Sequence, residues 1–124
     1  MTFHLLSAAI VDVIHDEVLN PGELQGRAMN KSLEGALARV DNRLVYGMIS
    51  DVFDLAAAYA VAIAQGHCFN DGNKRTAYRV MQTCLDLHGF DYPDDEKAIG
   101  PVIIRAAQGL LDEGELAHWL RTRA

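Results

Sequence analysis

Apolar residues recur at helical spacing along most of the chain. The first segment places its apolar side chains on one side of a helix, which Asn20-Pro21-Gly22 ends. Residues 21–30 show no period and are predicted to form a loop, and a second helix is predicted over residues 31–42. The pattern leaves open whether residues 43–50 continue that helix. The predicted inward positions are Leu5, Ile10, Val13, Ile14 and Leu19 in the first helix and Leu33, Ala36, Leu37 and Val40 in the second.

Residues 51–65 are apolar on almost every side. A helix of this kind is buried in the middle of its domain, so we expect it to be the central element of the fold. Ser50 or Asp51 would cap its first turn, and Gly66 fits its end. The uncharged run over residues 55–70 has 16 residues. A membrane-spanning helix needs about 20, and no membrane association is expected.

The remaining helices are predicted from the same signals. A helix over residues 73–88 is ended by Gly89, and residues 91–96 form a loop. Gly100-Pro101 argues against one helix through residues 95–110, so the next helix is predicted to begin near Pro101. Asp112 and Glu115 resemble a capping box that opens a last helix through residue 123. No strand alternation or internal repeat is present, and we predict a single all-α domain over residues 1–124, a compact bundle of about six helices around one central apolar helix.

Composition narrows the function further. Eleven Lys and Arg against seventeen Asp and Glu give a net charge of −6, which argues against bulk binding of nucleic acid. Two cysteines, Cys68 and Cys84, are too few for a disulfide framework. No signal-peptide pattern opens the sequence, so a cytoplasmic protein with free thiols is expected.

One polar segment, residues 67–76, lies between the two most apolar predicted helices and carries candidate chemistry. Gly72 to Arg75 fall at a helix N-terminus, where free N–H groups attract anions, and Lys74 and Arg75 add two cations suited to phosphate. Asp71 is a candidate ligand for Mg²⁺, which prefers carboxylate and phosphate oxygens. His67 is a candidate general base, because imidazole groups titrate near neutral pH. Together these are the components of phosphoryl or nucleotidyl transfer.

Structural interpretations of the same residues remain open. His67 is alternatively a structural histidine, Asp71 a cap of the following helix, and Lys74 with Arg75 a solvated face. Phe69 is interpreted as a core side chain that anchors the loop. A Walker phosphate-binding loop is excluded, because the preceding element is a helix rather than a strand and the glycine spacing is wrong.

The segment His67-Cys68-Phe69-Asn70-Asp71-Gly72-Asn73-Lys74-Arg75 resembles the signature of the Doc toxins, a branch of the Fic fold. Ile14-His15-Asp16 and residues 32–39 are similar to the N-terminal half of the same family. The resemblance implies an all-α toxin of a toxin–antitoxin pair. It implies ATP and Mg²⁺ as cofactors and a kinase that phosphorylates a threonine of elongation factor Tu and thereby arrests translation.

The resemblance also implies roles for individual residues. By position in the motif, His67 would activate the target hydroxyl and Asp71 would bind Mg²⁺. Gly72, Asn73, Lys74 and Arg75 would hold the nucleotide phosphates. Self-inhibited Fic proteins carry Ser or Thr, three residues, then Glu followed by Gly or Asn, and this pattern is missing from the sequence. Control is therefore expected from the C-terminal segment of a cognate antitoxin that folds on binding.

Two departures from the wider Fic pattern favour a kinase. Lys74 stands where the Fic AMP-transferases have a second glycine, and Tyr78 stands where they have a second arginine. Arg79 comes one position late, about 100° around a helix. Cys68 replaces the usual proline after the histidine, a position that is variable among Doc motifs. AMP transfer to a protein hydroxyl, a non-catalytic Fic-like binding module and a plain helical interaction domain remain the alternatives.

Overall fold

A computed structural model describes residues 2–91 and 95–123. Over those residues the one β pairing is an isolated antiparallel bridge between Arg27 and Phe69, and the prediction of an all-α fold is confirmed. No helix in the described ranges is long and apolar enough to cross a membrane. The six helices are α1 (Ala8–Val18), α2 (Leu33–Val45), α3 (Val52–Gly66), α4 (Asn73–Leu87), α5 (Glu96–Ala107) and α6 (Glu113–Arg123).

Helix α3 is the centre of the bundle, as its all-round apolar character predicts. It packs against α2, α4, α5 and α6, and eleven of its 15 residues are buried. Many of these are alanines, whose small side chains let the neighbouring helices approach closely. Of the two candidate caps, Asp51 is the one used, with its carboxylate accepting from the Asp54 N–H at 2.9 Å. The buried Tyr59 hydroxyl accepts from the Leu6 N–H at 2.9 Å and ties the N-terminal segment to the core.

The predicted apolar face of the first helix is partly wrong. Ile14 is buried, but Leu5, Ile10 and Val13 are 51%, 44% and 57% exposed. The helix begins only after Ser7, which caps it, so Leu5 precedes the helix and does not share its period. The face that packs on the core consists of Val11, Ile14 and His15, and a hydrophobicity pattern overlooks it because one member is a histidine.

The prediction that Gly100-Pro101 separates two elements is also wrong. Helix α5 begins at Glu96, is capped by Asp95, and contains Pro101. The proline costs only one helical hydrogen bond, the one to the carbonyl of exposed Lys97, which water can replace. Gly100 lacks the Cβ that would clash with the proline ring. Of the loop predicted over 91–96, residues 92–94 lie outside the described part, and Glu96 is already helical.

The other helices agree with their sequence signals. All four predicted inward positions of α2 are buried, and α2 continues through residue 45, which settles part of the open stretch 43–50. Helix α4 ends at Leu87, with Gly89 in a left-handed turn. The capping box of α6 forms reciprocally, because Asp112 accepts from the Glu115 N–H at 2.8 Å and Glu115 accepts from the Asp112 N–H at 3.1 Å.

Candidate functional site

His67 is the first residue after α3 and adopts a left-handed conformation, with φ 50° and ψ 42°. This conformation costs a non-glycine residue about 1–2 kcal/mol, and such strain is typically retained at functional sites. Gly66, predicted to end α3, is its last helical residue and serves a different purpose, since a Cβ there would lie 2.9 Å from the Cys68 Sγ. The turn leaves the His67 side chain exposed to solvent.

The next two residues fasten the loop to the core. Cys68 and Phe69 are buried, and the Phe69 ring stacks on His15 at a centroid distance of 3.8 Å. This agrees with the interpretation of Phe69 as an anchoring core side chain. Burial raises the pKa of the Cys68 thiol, which donates to the Ser32 carbonyl at 3.5 Å. Cys68 is therefore a buried packing residue of the loop.

His15 supports the loop from α1. It is 1% exposed, and its Nε2 lies 2.7 Å from the carbonyl oxygen of Asp71. A carbonyl only accepts, so Nε2 carries the hydrogen and donates it. His15 entered the sequence analysis only as part of a resemblance. Only the structure places it on the buried face of α1, beside Val11 and Ile14.

Residues 67–75, here called the motif loop, comprise the connection after α3 and the first turn of α4. Residues 23–28, here called the strap, lie antiparallel along the first part of the motif loop. The Ala28 N–H donates to the Cys68 carbonyl at 2.8 Å, and the Asn70 N–H donates to the Gly26 carbonyl at 3.1 Å. The Asn70 amide nitrogen also donates to the Gln25 carbonyl at 2.9 Å. The aperiodic loop predicted over residues 21–30 thus forms one wall of the site.

Asp71 is held by the strap and does not cap α4. Its Oδ2 accepts from the Leu24 N–H at 2.7 Å. The N-cap of α4 is Gly72, with φ 77° and no side-chain hydrogen bond, so the alternative interpretation of Asp71 as a cap is wrong. No other residue of the described ranges hydrogen-bonds to its second carboxylate oxygen.

The N-terminus of α4 is open to an anion. Asn73 uses its side chain internally, accepting from the Phe69 N–H at 3.0 Å and donating to the Phe69 carbonyl at 2.9 Å. Lys74 is exposed, and its ammonium makes no ion pair with residues 2–91 or 95–123. The N-terminus of each of the other five helices is capped by a side chain, namely that of Ser7, Ser32, Asp51, Asp95 or Asp112.

Arg75, a predicted phosphate ligand, is ion-paired in the structure. Its guanidinium donates to both carboxylate oxygens of Glu23, at 2.7 Å for one of them, and to the Val18 carbonyl at 3.0 Å. The hydrogen bonds from Arg75 hold the pKa of Glu23 below its usual value. Glu23 was not predicted as a site residue, because nothing in the pattern of residues 21–30 pairs it with a residue 52 positions away.

The site fits a magnesium nucleotide. Among the described residues no three His, Cys, Asp or Glu side chains gather into a metal-binding group. Mg²⁺ is commonly held by one or two carboxylates together with substrate phosphates, and Asp71 beside the open end of α4 matches that arrangement. The structure therefore places His67 and Asp71 in the loop before α4 and Lys74 in the first turn of α4, while Asn73 and Arg75 already have protein partners.

Comparison with known proteins agrees with this geometry. A family model described as the Fic/DOC family matches residues 5–85, which include the strap and the whole motif loop. "Protein kinase doc" of Escherichia phage P1 is 35% identical over 112 residues, which is 87% of this chain and 86% of that protein. Matches of this extent show that the chain belongs to the Fic/DOC family.

Proposed function

We propose that this protein is the toxin of a toxin–antitoxin system and acts as a protein kinase. It transfers the γ-phosphate of ATP to a threonine hydroxyl of elongation factor Tu and so arrests translation in the cytoplasm. One observation carries the proposal: the exposed, left-handed His67 lies four residues before Asp71, whose carboxylate directly precedes the N-terminus of α4 capped by Gly72. The similarity to a protein named as a kinase supports the same reaction.

The proposed roles follow from what each group can do. The His67 imidazole accepts the proton of the target hydroxyl while the hydroxyl oxygen forms a bond to the γ-phosphorus. The bond between the γ-phosphorus and the β–γ bridging oxygen breaks, and ADP is released. The first N–H groups of α4, from Asn73 to Arg75, and the Lys74 ammonium bind phosphate oxygens. Asp71 would hold Mg²⁺, which neutralises charge that develops on the phosphates.

AMP transfer is the second candidate, and Arg79 is the observation that favours it. Tyr78 occupies the position of the second Fic arginine and brings no charge there. Arg79 nevertheless lines a cavity of about 190 Å³ together with Arg75 and Tyr78, so a second cation lies close to the phosphate site. We favour the kinase because Lys74 replaces the glycine that gives an α-phosphate room against the backbone.

Two partners complete the proposal. Elongation factor Tu is the proposed target. The proposed inhibitor is the C-terminal segment of a cognate antitoxin that folds on binding, since the chain lacks the inhibitory pattern of self-inhibited Fic proteins. Co-expression of the antitoxin is expected to restore growth of cells that produce this protein.

The test is a transfer assay with purified protein, Mg²⁺, elongation factor Tu and ATP labelled at the α- or the γ-phosphate. Label from γ alone supports the kinase, and label from α establishes AMP transfer instead. No label from either position, from protein that binds ATP, would contradict transfer to elongation factor Tu and leave another target or a non-catalytic binding module.

Matched variants connect the transfer to the site. His67→Asn keeps a residue that tolerates the left-handed turn and is expected to lower transfer at least about 100-fold through loss of the base. Asp71→Asn keeps an oxygen that accepts from the Leu24 N–H but loses the charge for Mg²⁺. A folded variant with undiminished transfer would contradict the role of its residue.

A further inference from the structure

One side chain of α1, His15, contacts the motif loop at three points. Its ring stacks on the Phe69 ring, with centroids 3.8 Å apart and planes inclined by 8°. Its Nε2 lies 2.7 Å from the Asp71 carbonyl oxygen, and a Cβ built on Gly72 would lie 3.8 Å from its Cδ2. Because His15 is buried, water does not compete for these contacts. The part of the loop that carries Asp71 is therefore shaped against a single ring.

A histidine is a costly residue at this position. The buried face of α1 otherwise consists of Val11 and Ile14, and an imidazole loses its hydration there unless its nitrogens find partners. A phenylalanine would fill a similar space and would also stack on Phe69. It would lack the Nε2–H that donates to the Asp71 carbonyl. The hydrogen bond, and not the packing, therefore distinguishes the histidine from an apolar ring.

This hydrogen bond fixes the orientation of one peptide group. The peptide that joins Asp71 to Gly72 is planar, so holding its oxygen also restrains ψ of Asp71 and φ of Gly72. Gly72 has a φ of 77°, and because a glycine populates both signs of φ readily, the peptide needs a restraint from outside. The rotamers open to the Asp71 side chain depend on that backbone conformation. The donor on His15 therefore bears on the direction in which the carboxylate leaves the chain.

A second element holds the carboxylate itself. Leu24 of the strap donates its N–H to Asp71 Oδ2 at 2.7 Å, and no residue of the described ranges hydrogen-bonds to Oδ1. Asp71 is thus fixed at its carbonyl by α1 and at one carboxylate oxygen by the strap, while the other oxygen is left for a ligand. Hydrogen-bond partners that orient a metal ligand in this way keep a site in the geometry that its ion requires.

We propose that His15 is a positioning residue for the metal ligand Asp71. Its Nε2–H holds the Asp71 carbonyl and thereby orients the carboxylate for Mg²⁺. His15 is buried against the loop and acts only through Asp71. The inference rests on the proposed function, which assigns Mg²⁺ to Asp71, and it adds to the site a residue of α1 that lies outside the motif.

The test measures how much Mg²⁺ strengthens the binding of ATP. The dissociation constant of ATP is determined by calorimetry on the full chain, once with EDTA and once with Mg²⁺. The first constant divided by the second, here called the magnesium ratio, reports contact between the carboxylate and the metal. Asp71→Asn, which lacks the charge for Mg²⁺, gives the value that corresponds to a lost contact.

His15→Gln and His15→Asn are the matched variants. Both remove the ring and both carry an amide, but only the longer glutamine side chain reaches the place of Nε2 and donates to the Asp71 carbonyl. We expect His15→Asn to lower the magnesium ratio about tenfold, an effect typical of losing a partner that orients a metal ligand, and His15→Gln to keep most of the ratio. His15→Phe keeps a ring against Phe69 without a donor and is expected to behave like His15→Asn.

A measurement on the wild type keeps the inference testable if the variants do not fold. The Nε2–H of His15 is buried and hydrogen-bonded, so its proton is expected to exchange slowly with water and to be visible by NMR. Its resonance should shift on addition of Mg-ATP and not on addition of ATP with EDTA, because Mg²⁺ on the carboxylate changes the hydrogen bond that the same residue accepts. A resonance that does not respond to Mg-ATP would contradict the positioning role.

Two results with the variants would overturn the inference without touching the proposed function. A magnesium ratio at the wild-type value in His15→Asn and His15→Phe, with only the urea midpoints lowered, would make His15 a purely structural residue. Equally lowered ratios for His15→Gln and His15→Asn would assign the effect to the ring instead of the donor. A wild-type ratio equal to that of Asp71→Asn would instead refute the assignment of Mg²⁺ to Asp71, and the positioning role with it.

Discussion

His67 and Asn30 are the non-glycine residues with positive φ in the described part of the chain, at 50° and 62°. Glycine relieves this strain, so we expect His67→Gly to stabilise the fold by about 1 kcal/mol while it abolishes activity. Urea unfolding together with the transfer assay measures both effects. A loss of stability would mean that the imidazole makes a contact that outweighs the strain.

Asn30→Gly is the matched control for that experiment. Asn30 lies in the loop before α2, outside the site, and asparagine tolerates the left-handed region better than histidine does. A smaller stability gain with full activity is expected, which would separate relief of backbone strain from loss of the base.

Glu23 competes with any anion for Arg75. The Glu23 carboxylate is paired with the Arg75 guanidinium. Glu23→Gln is therefore expected to raise the affinity of the protein for Mg²⁺-tripolyphosphate by up to about fivefold, which corresponds to the free energy of a partly exposed ion pair. Glu34→Gln is the control, since Glu34 pairs with Arg27 outside the phosphate site. Weaker binding in Glu23→Gln would show that the carboxylate positions Arg75 instead of blocking it.

At the scale of elements, the strap depends on one side-chain amide. Asn70 donates through its amide to the Gln25 and Arg27 carbonyls at 2.9 and 3.4 Å, and Asn70→Asp would place a carboxylate against both. We expect exchange of the Ala28 amide hydrogen to accelerate about tenfold, the worth of one hydrogen bond. Hydrogen exchange read by NMR checks this.

Asn42→Asp on the exposed surface of α2 makes the same chemical change away from the strap. It should leave the Ala28 amide unaffected. Equal acceleration in the two variants would mean that added negative charge, and not the lost donor, loosens the strap.

How well each element could be predicted depends on the range of its contacts. Helices α2, α3, α4 and α6 follow from local periodicity and caps, and the inward positions predicted for α2 and the central, buried position predicted for α3 are confirmed. The strap has no local signal for its place in the site, because its hydrogen bonds to the motif loop join residues more than 40 positions apart. Pro101 misled the prediction of α5 because the cost of a proline depends on which single hydrogen bond it removes.

The candidate site likewise contains residues that the sequence predicted and residues that only the tertiary fold reveals. The motif loop is continuous in sequence, so His67, Asp71 and Lys74 could be named without a structure. Their supports could not, because His15 on α1 and Glu23 on the strap reach the loop only through the tertiary fold. The Glu23 pairing also gives Arg75 a partner that its place in the motif does not suggest.

For the whole molecule, arginine–carboxylate pairs join segments distant in sequence. Hydrogen bonds from Arg75, Arg27 and Arg121 lower the pKa values of Glu23, Glu34 and Asp51, respectively. A carboxyl group whose pKa is lower in the folded state than in the unfolded state binds fewer protons in the folded state. Its contribution to the free energy of unfolding is complete above its pKa in the unfolded state, about 4, and is lost as the pH falls through its pKa in the folded state. Urea midpoints should therefore fall as the pH is lowered below about 5.

Arg121→Gln tests one of these links. Arg121 bridges α6 to Asp51 and Asp54 at the start of α3, so its loss should cost up to about 1 kcal/mol at pH 7 and flatten the acid dependence. Arg105→Gln makes the same change in net charge at an exposed position of α5. It is expected to change neither the stability at pH 7 nor the acid dependence. An identical pH profile for Arg121→Gln and the wild type would show that this pair does not contribute to acid sensitivity.

The strap has a consequence for the order of folding. Its bonds to the motif loop close a stretch of more than 40 residues that contains α2 and α3, and closing a long flexible stretch is entropically costly until those helices have packed. We therefore expect the strap to dock only after α2 and α3 have packed, which hydrogen exchange of the Ala28 amide during refolding would test. Under the proposed function, a newly made toxin would then complete its site late in folding, and a partner could bind it before that step.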